Sequence, residues 1–398
     1  MNANDIVIVA AKRTPQGNLL GSLSSLTAPE LASQAHLAAL QAAQISENDI
    51  DEVISGCVLQ AGIGQGPARQ AAIGANIPVS TGATTINKLC GSGMKAVMLA
   101  HDLIKAGSAQ IILAGGMESM SNAPYLLKKA REGYRLGHGE LKDSMFLDGL
   151  EDIYQSGTLM GHYADITAKK YNFSREMQDE FAKSSMTRAL ESQRNNEFAE
   201  EITPITIKSR KDETVITRDE NPSEDKISKI SRLKPAFDQG GTVTAASSSS
   251  ISDGAASLIL MSAANAKKRG LSPLARIVSH ATFSQEPQWF TTAPVNAIKH
   301  VLQKSNWNTD DVDLFEINEA FAVVTMAAIK DLELNPNKVN IQGGACALGH
   351  PIGATGARIL VTLIHSLIRL NKKRGVASLC IGGGEATAIS IEIAVAYA

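Results

Sequence analysis

Three short segments of the chain recur in the same order at nearly constant separation. "DIDEVI" at 49–54 is matched by "DVDLFE" at 311–316, "SGMK" at 92–95 by "TGAR" at 355–358, and "AGGME" at 114–118 by "IGGGE" at 381–385. The separations are 262, 263 and 267 residues, and their agreement carries more than any single match. In each copy an Asp-rich lead-in precedes a strand and a glycine turn opens a helix. An apolar strand, "AQIILAGG" or "VASLCIGGG", then runs into glycines. The pattern predicts a duplicated α/β unit with layered sheets and helices.

At 398 residues the chain is long enough to bury a large core in two such halves. Between them the pattern changes. A charged, glycine-punctuated segment, "LKKAREGYRLGHGELKD", is followed by helical periodicity in "REMQDEFAKSSMTRALESQ" and by the polar stretch "KSRKDETVITRDENPSEDK". The expected organisation is therefore a first core half over 1–123, an inserted loop domain over 124–234, a return to the first half over 235–271, and a second half over 272–398. The insertion reads equally well as a solvated cover and as a ligand-binding element.

With 38 basic against 40 acidic side chains, nothing favours nucleic acid or a membrane surface as partner. No stretch has the length and apolarity of a membrane span, and "MNANDIVIVAAKRTP" lacks the regions of a signal peptide, so a cytoplasmic protein is expected. Cys57, Cys90, Cys346 and Cys380 are scattered without CxxC spacing, which fits neither a zinc site nor a disulfide framework.

Individual cysteines still have chemistry open to them. Cys90 stands at a predicted helix start, where free N–H groups and the helix dipole favour a thiolate; its alternative is a small buried hydrophobe. His350, in "GGACALGHPIGATGAR", precedes the corresponding helix of the second copy. If a pseudo-twofold relates the halves, the two helix starts face a common centre and give a Cys–His pair. Cys380 runs into "IGGG", whose backbone N–H groups are free to hold an oxyanion. Asn318, in "EINEAFA", reads as a helix cap or as an amide orienting a water or a histidine, and Ser247–Ser250 read as a solvated turn. "GIGQGPA" and "GHPIGATG" lack the full dinucleotide-binding pattern, and no phosphate-binding P-loop is present.

"NKLCGSGMKA", "NEAFA", "GGACALGHPIGATG" and "CIGGG" together resemble the four catalytic blocks of thiolases. The resemblance covers nearly the whole chain, including "RTPQG", "LKPAFDQGGTVTA" and "SDGAAS", and looks closest to the biosynthetic acetyl-CoA acetyltransferase branch. It implies the thiolase fold, two mixed α/β halves layered as α-β-α-β-α with central helices between two sheets. It also implies a Claisen condensation through an acetylated Cys90, with His350 as the base for its thiol and Cys380 as the base for the second acetyl-CoA. Asn318 would orient a water, and the N–H groups of Cys90 and Gly382 would form an oxyanion hole. Met160, Phe237, Ser249 and Phe321 would line the pantetheine and short-acyl pocket. Coenzyme A thioesters would be substrates, with no metal or other cofactor, and "GYRLGHGELKD" resembles a tetramerisation loop, implying a homotetramer.

The chain departs from the family pattern in places. Ser247–Ser250 stand where N-A-S-G is usual, Leu159 precedes Met160 where a histidine is common, and Phe290 replaces a methionine. "DENPSED" lacks an expected arginine, which leaves lysines such as Lys229 for phosphate contacts, and Glu385 after the triple glycine is unusual. The rival readings are a 3-ketoacyl-CoA thiolase of broader chain length and a non-catalytic acyl-CoA binding protein.

Overall fold

The computed structural model describes residues 2–208 and 212–394, so three residues of the polar stretch 208–226 lie outside the described part. Across the first half the strands run Ile6–Arg13, Ser252–Ser262, Ile111–Ser119, Glu52–Gly56 and Gly82–Ile86. The first two pairings are antiparallel and the last two parallel. The second half repeats this with Ala275–Ser284, Glu385–Ile393, Arg374–Ile381 and Leu314–Ile317, paired antiparallel, antiparallel and parallel. A single parallel bridge from Phe315 to Val339 stands where the fifth strand would be. The sequence repeat is thus a repeat of hydrogen-bonded order.

The half-sheets also touch. Val7 pairs with Arg276 and Ile8 with Ala275, so the strands form one continuous hydrogen-bonded path where the family resemblance implies two sheets. Because each half presents its first strand at this edge, two residue pairs suffice to join them.

Side chains alternate between the faces of each half-sheet, as the two-residue period of a strand requires. Ile6, Ile8, Ile112, Ala114, Leu258 and Leu260 pack inward on the helices Ser92–Lys105 and Thr355–Arg369. Val7, Val9, Ile111, Leu113, Ile259 and Met261 pack outward with the helix Ala28–Ala43. In the second half Ala377, Leu379, Ile389 and Ile391 join the inner cluster, while Val376, Ala386 and Ala388 face the helix Ala293–Ser305. The layers are therefore α-β-α-β-α.

The two central helices cross at a pair of glycines that occupy equivalent places in the repeat. A Cβ on Gly93 would lie 2.8 Å from the Ala357 nitrogen, and one on Gly356 would lie 2.4 Å from the Met94 nitrogen. The contacts are reciprocal, as they must be on a pseudo-twofold axis, and only glycine permits backbones this close.

The inserted stretch contributes the hairpin Tyr125–Leu127 with Leu141–Asp143, the helices Met160–Tyr171 and Arg175–Arg194, and the hairpin Ile205–Lys208 with Glu213–Ile216. The second helix matches the periodicity in the sequence and begins where the Ser174 hydroxyl accepts the Met177 N–H. Arg13, fully buried on the first strand, donates to Glu201 at 2.6 Å and to both Asp219 oxygens at 2.7 and 2.9 Å. Removing one member of such a buried ion cluster costs about 3–5 kcal/mol. Among the described residues no helix is long and apolar enough to cross a membrane.

Candidate active site

Cys90 lies two residues before the helix Ser92–Lys105, in a turn stitched by Ser92. The Lys88 N–H donates to the Ser92 hydroxyl at 2.8 Å, and that hydroxyl donates to the Leu89 carbonyl at 2.7 Å. Leu89 is held at φ +48°, a left-handed conformation that strains a leucine. The Cys90 sulfur is half-buried, and the N–H groups of Gly382 and of Cys90 itself lie near enough to favour its charged form. These are the two donors expected of the oxyanion hole. Burial outweighs them and, with the nearby Glu118 charge, pushes the thiol up to about 11. The thiolate expected at the helix start is therefore not the resting form, because desolvation of the charged sulfur dominates.

His350 is held by its backbone and by its ring. Its backbone N–H donates to the Ser250 carbonyl at 3.0 Å, and its Nδ1 lies 2.6 Å from the Thr355 hydroxyl. That hydroxyl spends its one proton on the Pro351 carbonyl at 2.9 Å, so it accepts from Nδ1–H. The proton is thereby fixed on Nδ1, and Nε2 carries a free lone pair. Nε2 is buried and finds no partner among the described residues. Burial, and secondarily the Arg358 charge, push the ring down to about 3, so the imidazole rests neutral.

Cys380 lies in the strand Arg374–Ile381, fully buried, and is pushed well above the usual thiol range by burial and then by the charge of Cys90. The two sulfurs are thus within electrostatic reach. After Gly382, Gly383 and Gly384 take φ of +83° and +90°, turning the chain tightly beneath the Gly382 N–H that meets the sulfur.

Asn318 is not a helix cap: the following helix, Ala322–Asp331, is entered at Phe321 without a side-chain cap. Its backbone N–H donates to Ser378, two residues from Cys380, and both polar atoms of its buried amide lack partners among the described residues. Ser247–Ser250 are not a solvated turn. Ser247 and Ser248 are buried, and the segment links the Asn318 and His350 loops. The Ser249 N–H donates to Ala320, the Ser247 carbonyl accepts from Ala322, and the Ser250 carbonyl accepts from His350.

Met160, Phe237, Ser249 and Phe321 all line a cavity of about 520 Å³, whose lining does not include Cys90, Asn318, His350 or Cys380. Lining residues Phe146, Leu150 and Ile251 share an apolar cluster with Cys90, while Met160, Phe237 and Phe321 share one with Cys380. The Phe237 and Phe290 rings meet Phe321 edge-on, with centroids 5.8 and 6.4 Å away. Phe290 stands behind the wall, and Leu159 lines the cavity itself. Lys226 lies on the rim, and Lys229 lines an adjoining cavity of about 280 Å³ that shares Asn221 and Lys226. His162 pairs instead with Asp238 at 2.7 Å.

Two supporting groups escaped the sequence reading, and a third, Glu385, stood there without a role. Thr355 fixes the histidine tautomer. Glu118, fully buried, accepts the N–H groups of Val58, Leu59 and Gly353 at 3.0, 3.1 and 2.9 Å, joining loops of both halves. Glu385 gains a physical account: it pairs with Lys88 at 2.5 Å and accepts the Ser284 hydroxyl at 2.9 Å, bracing the Cys90 turn against the Cys380 loop. Its recurrence opposite Glu118 in the repeat was the available signal. Cys57 and Cys346 are buried thiols beside Glu118 and the Glu319 carbonyl, both pushed up by burial.

A thiol, a neutral imidazole with an unpartnered buried Nε2, a second thiol and two nearby N–H groups make up a site suited to covalent acyl transfer. The chain belongs to the thiolase family: residues 6–264 match the thiolase N-terminal domain and 271–393 the thiolase C-terminal domain. It is 49% identical to an acetyl-CoA acetyltransferase of Cupriavidus necator over 390 residues, 98% of this chain and 99% of that one. It is 47% identical to the mouse cytosolic acetyl-CoA acetyltransferase over 397 residues, 98% and 100% of the two chains. The crystal structure of the Bacillus anthracis acetyl-CoA acetyltransferase superposes with a TM-score of 0.95 at 43% identity, covering 98% of this chain and 99% of that one.

Proposed function

We infer that this chain is an acetyl-CoA acetyltransferase, joining two acetyl-CoA to acetoacetyl-CoA and free CoA, and running the same steps backwards as thiolysis. The observation that carries the mechanism is the free Nε2 of His350, tautomer-locked by Thr355 in a site that also holds two neutral thiols and the unpartnered Asn318 amide.

The protons balance over a cycle. His350 Nε2 takes the Cys90 proton as the sulfur attacks the first thioester. The departing CoA thiolate takes the Cys380 proton, leaving acetyl-Cys90 and a Cys380 thiolate. That thiolate removes an α-proton from the second acetyl-CoA, and the carbanion attacks the acetyl group. Cys90 leaves and recovers its proton from His350. The imidazolium and a water held by Asn318 meet the enolate oxygen, and the N–H groups of Cys90 and Gly382 meet the tetrahedral one. Each such donor is worth about 2.7–4 kcal/mol in the barrier. The cycle calls on no metal and no cofactor beyond the thioesters.

Met160, Phe237, Phe321 and Leu159 form the acyl end of the cavity, with Phe290 buttressing Phe321, and Ser249 and Lys226 stand along the path of the pantetheine. The aromatic wall favours short acyl groups by steric block, since one methylene of contact alone is worth only about 1–3 kcal/mol. The hairpin around 125–143 leaves Tyr125, Leu127, Leu136 and Leu141 exposed, which supports the homotetramer. The likeness to the cytosolic enzyme of mouse supports a cytoplasmic setting.

Acetoacetyl-CoA and free CoA are to be supplied to the purified protein, with a longer 3-ketoacyl-CoA in parallel and Cys90→Ala as control. Rapid loss of the short substrate alone, abolished in the control, is expected. Faster turnover of the longer substrate would replace the short-chain assignment, and CoA-thioester binding without turnover would make this a binding protein.

A further inference from the structure

Away from the acyl-transfer site, the halves meet at a second cluster of chemically competent side chains. His101 and Asp102 lie in the last turn of the helix Ser92–Lys105, and His280 lies on the strand Ala275–Ser284 of the other half. Asp102 Oδ1 is 2.9 Å from His101 Nδ1 and 2.9 Å from His280 Nε2. All three ligand atoms fall within 4.8 Å of one another. The rings stand edge to face with centroids 5.0 Å apart, so both nitrogens converge on the same oxygen from different directions.

We propose that His101, Asp102 and His280 form a binding site for one divalent first-row transition ion, of the zinc, cobalt or nickel class. Two imidazoles and a carboxylate suit such ions and disfavour calcium or magnesium, which take oxygen donors. At metal–ligand distances of about 2.0–2.2 Å, tetrahedral donors lie roughly 3.3 Å apart. The two nitrogen–oxygen distances of 2.9 Å open to that value by a few tenths of an ångström, and the two nitrogens lie within 4.8 Å of each other. Both imidazoles are largely buried, whereas the Asp102 side chain is 54% exposed, so the fourth position faces water.

The charges around the cluster are mixed. Lys105 lies close on the same helix, and the Lys304 ammonium donates to the His280 carbonyl at 3.0 Å; both oppose a cation. The negative end of the helix dipole favours one, because the ligands lie in the last turn. Some eleven residues of helix, about 15 Å at the usual rise, separate Asp102 from the Cys90 turn. The ion therefore clamps the first half to the second and takes no part in acyl transfer.

The test is titration of untagged, metal-free protein with Co²⁺, read by visible and near-ultraviolet absorbance and by thermal melting. Asp102→Asn, His280→Gln and Cys90→Ser variants are run in parallel. One equivalent is expected to bind with the intense visible bands of four-coordinate Co²⁺, no thiolate charge-transfer band, and a raised melting temperature. Binding should weaken by more than about 100-fold in Asp102→Asn and His280→Gln, beyond the roughly 10–100-fold loss of an outer-shell partner, and survive in Cys90→Ser. Zn²⁺ should displace the Co²⁺ signal. A thiolate band that vanishes in Cys90→Ser would assign the ion to the catalytic sulfurs and overturn the proposal. So would the absence of binding, or binding indifferent to His280→Gln.

Discussion

The hydroxyl of Thr355 makes a sharp prediction, because it acts on the reaction only through His350. Replacing it with valine keeps the side-chain shape but removes the acceptor 2.6 Å from Nδ1. A buried N–H left without a partner costs about 1–3 kcal/mol. That cost falls on the tautomer with the proton on Nδ1, the one that leaves Nε2 free, and a shift of this size changes a ratio of states by about 5- to 150-fold. The expected result for Thr355→Val is a fall of that order in kcat for acetoacetyl-CoA thiolysis, followed by loss of the substrate's absorbance. KM should hold, since Thr355 does not line the cavity. Thr355→Ser retains both the acceptor and the donor to Pro351 and should keep nearly full activity. Equal losses in the two variants, or full activity in Thr355→Val, would refute the tautomer argument.

Other predictions follow from the same geometry. Gly356→Ala, whose Cβ would lie 2.4 Å from the Met94 nitrogen, should destabilise the protein by about 1–3 kcal/mol or more despite a helix-propensity gain of about 1 kcal/mol; Gly93→Ala should do the same, both read by denaturant unfolding. Glu385→Gln should slow turnover while changing stability by less than about 1 kcal/mol, because the Lys88 pair is partly exposed. With its thiol pushed up to about 11, Cys90 should react with iodoacetamide about tenfold faster per pH unit from neutrality to pH 9, with no plateau. A plateau near neutrality would mean a resting thiolate.

Part of the candidate site is legible in the sequence because the repeat puts Cys90 and His350 ahead of equivalent helices. The glycine pair 93 and 356 then explains how two such helices approach closely enough to share a centre. What local sequence does not encode is desolvation. Cys90 reads as an activated thiolate from its place at a helix start, yet burial pushes it up to about 11 and favours the thiol. The four serines read as solvent-facing because their partners, Ala320, Ala322 and His350, lie from about seventy to a hundred residues away along the chain. Glu118 was hidden for the same reason, since its three N–H donors come from residues 58, 59 and 353. The joined sheet rests on two residue pairs, too short a contact to leave a pattern.

The central claim is that Cys90 carries the acyl group between the two half-reactions. Acetyl-CoA alone should therefore leave one acetyl group on the intact chain, with release of one free CoA, and peptide mass mapping after rapid quenching should place it on Cys90. Cys90→Ser should form no thioester, and Cys380→Ser should still be acylated but fail to condense. An acetyl group mapped to Cys380, or condensation with no acyl-enzyme at any time, would contradict the account.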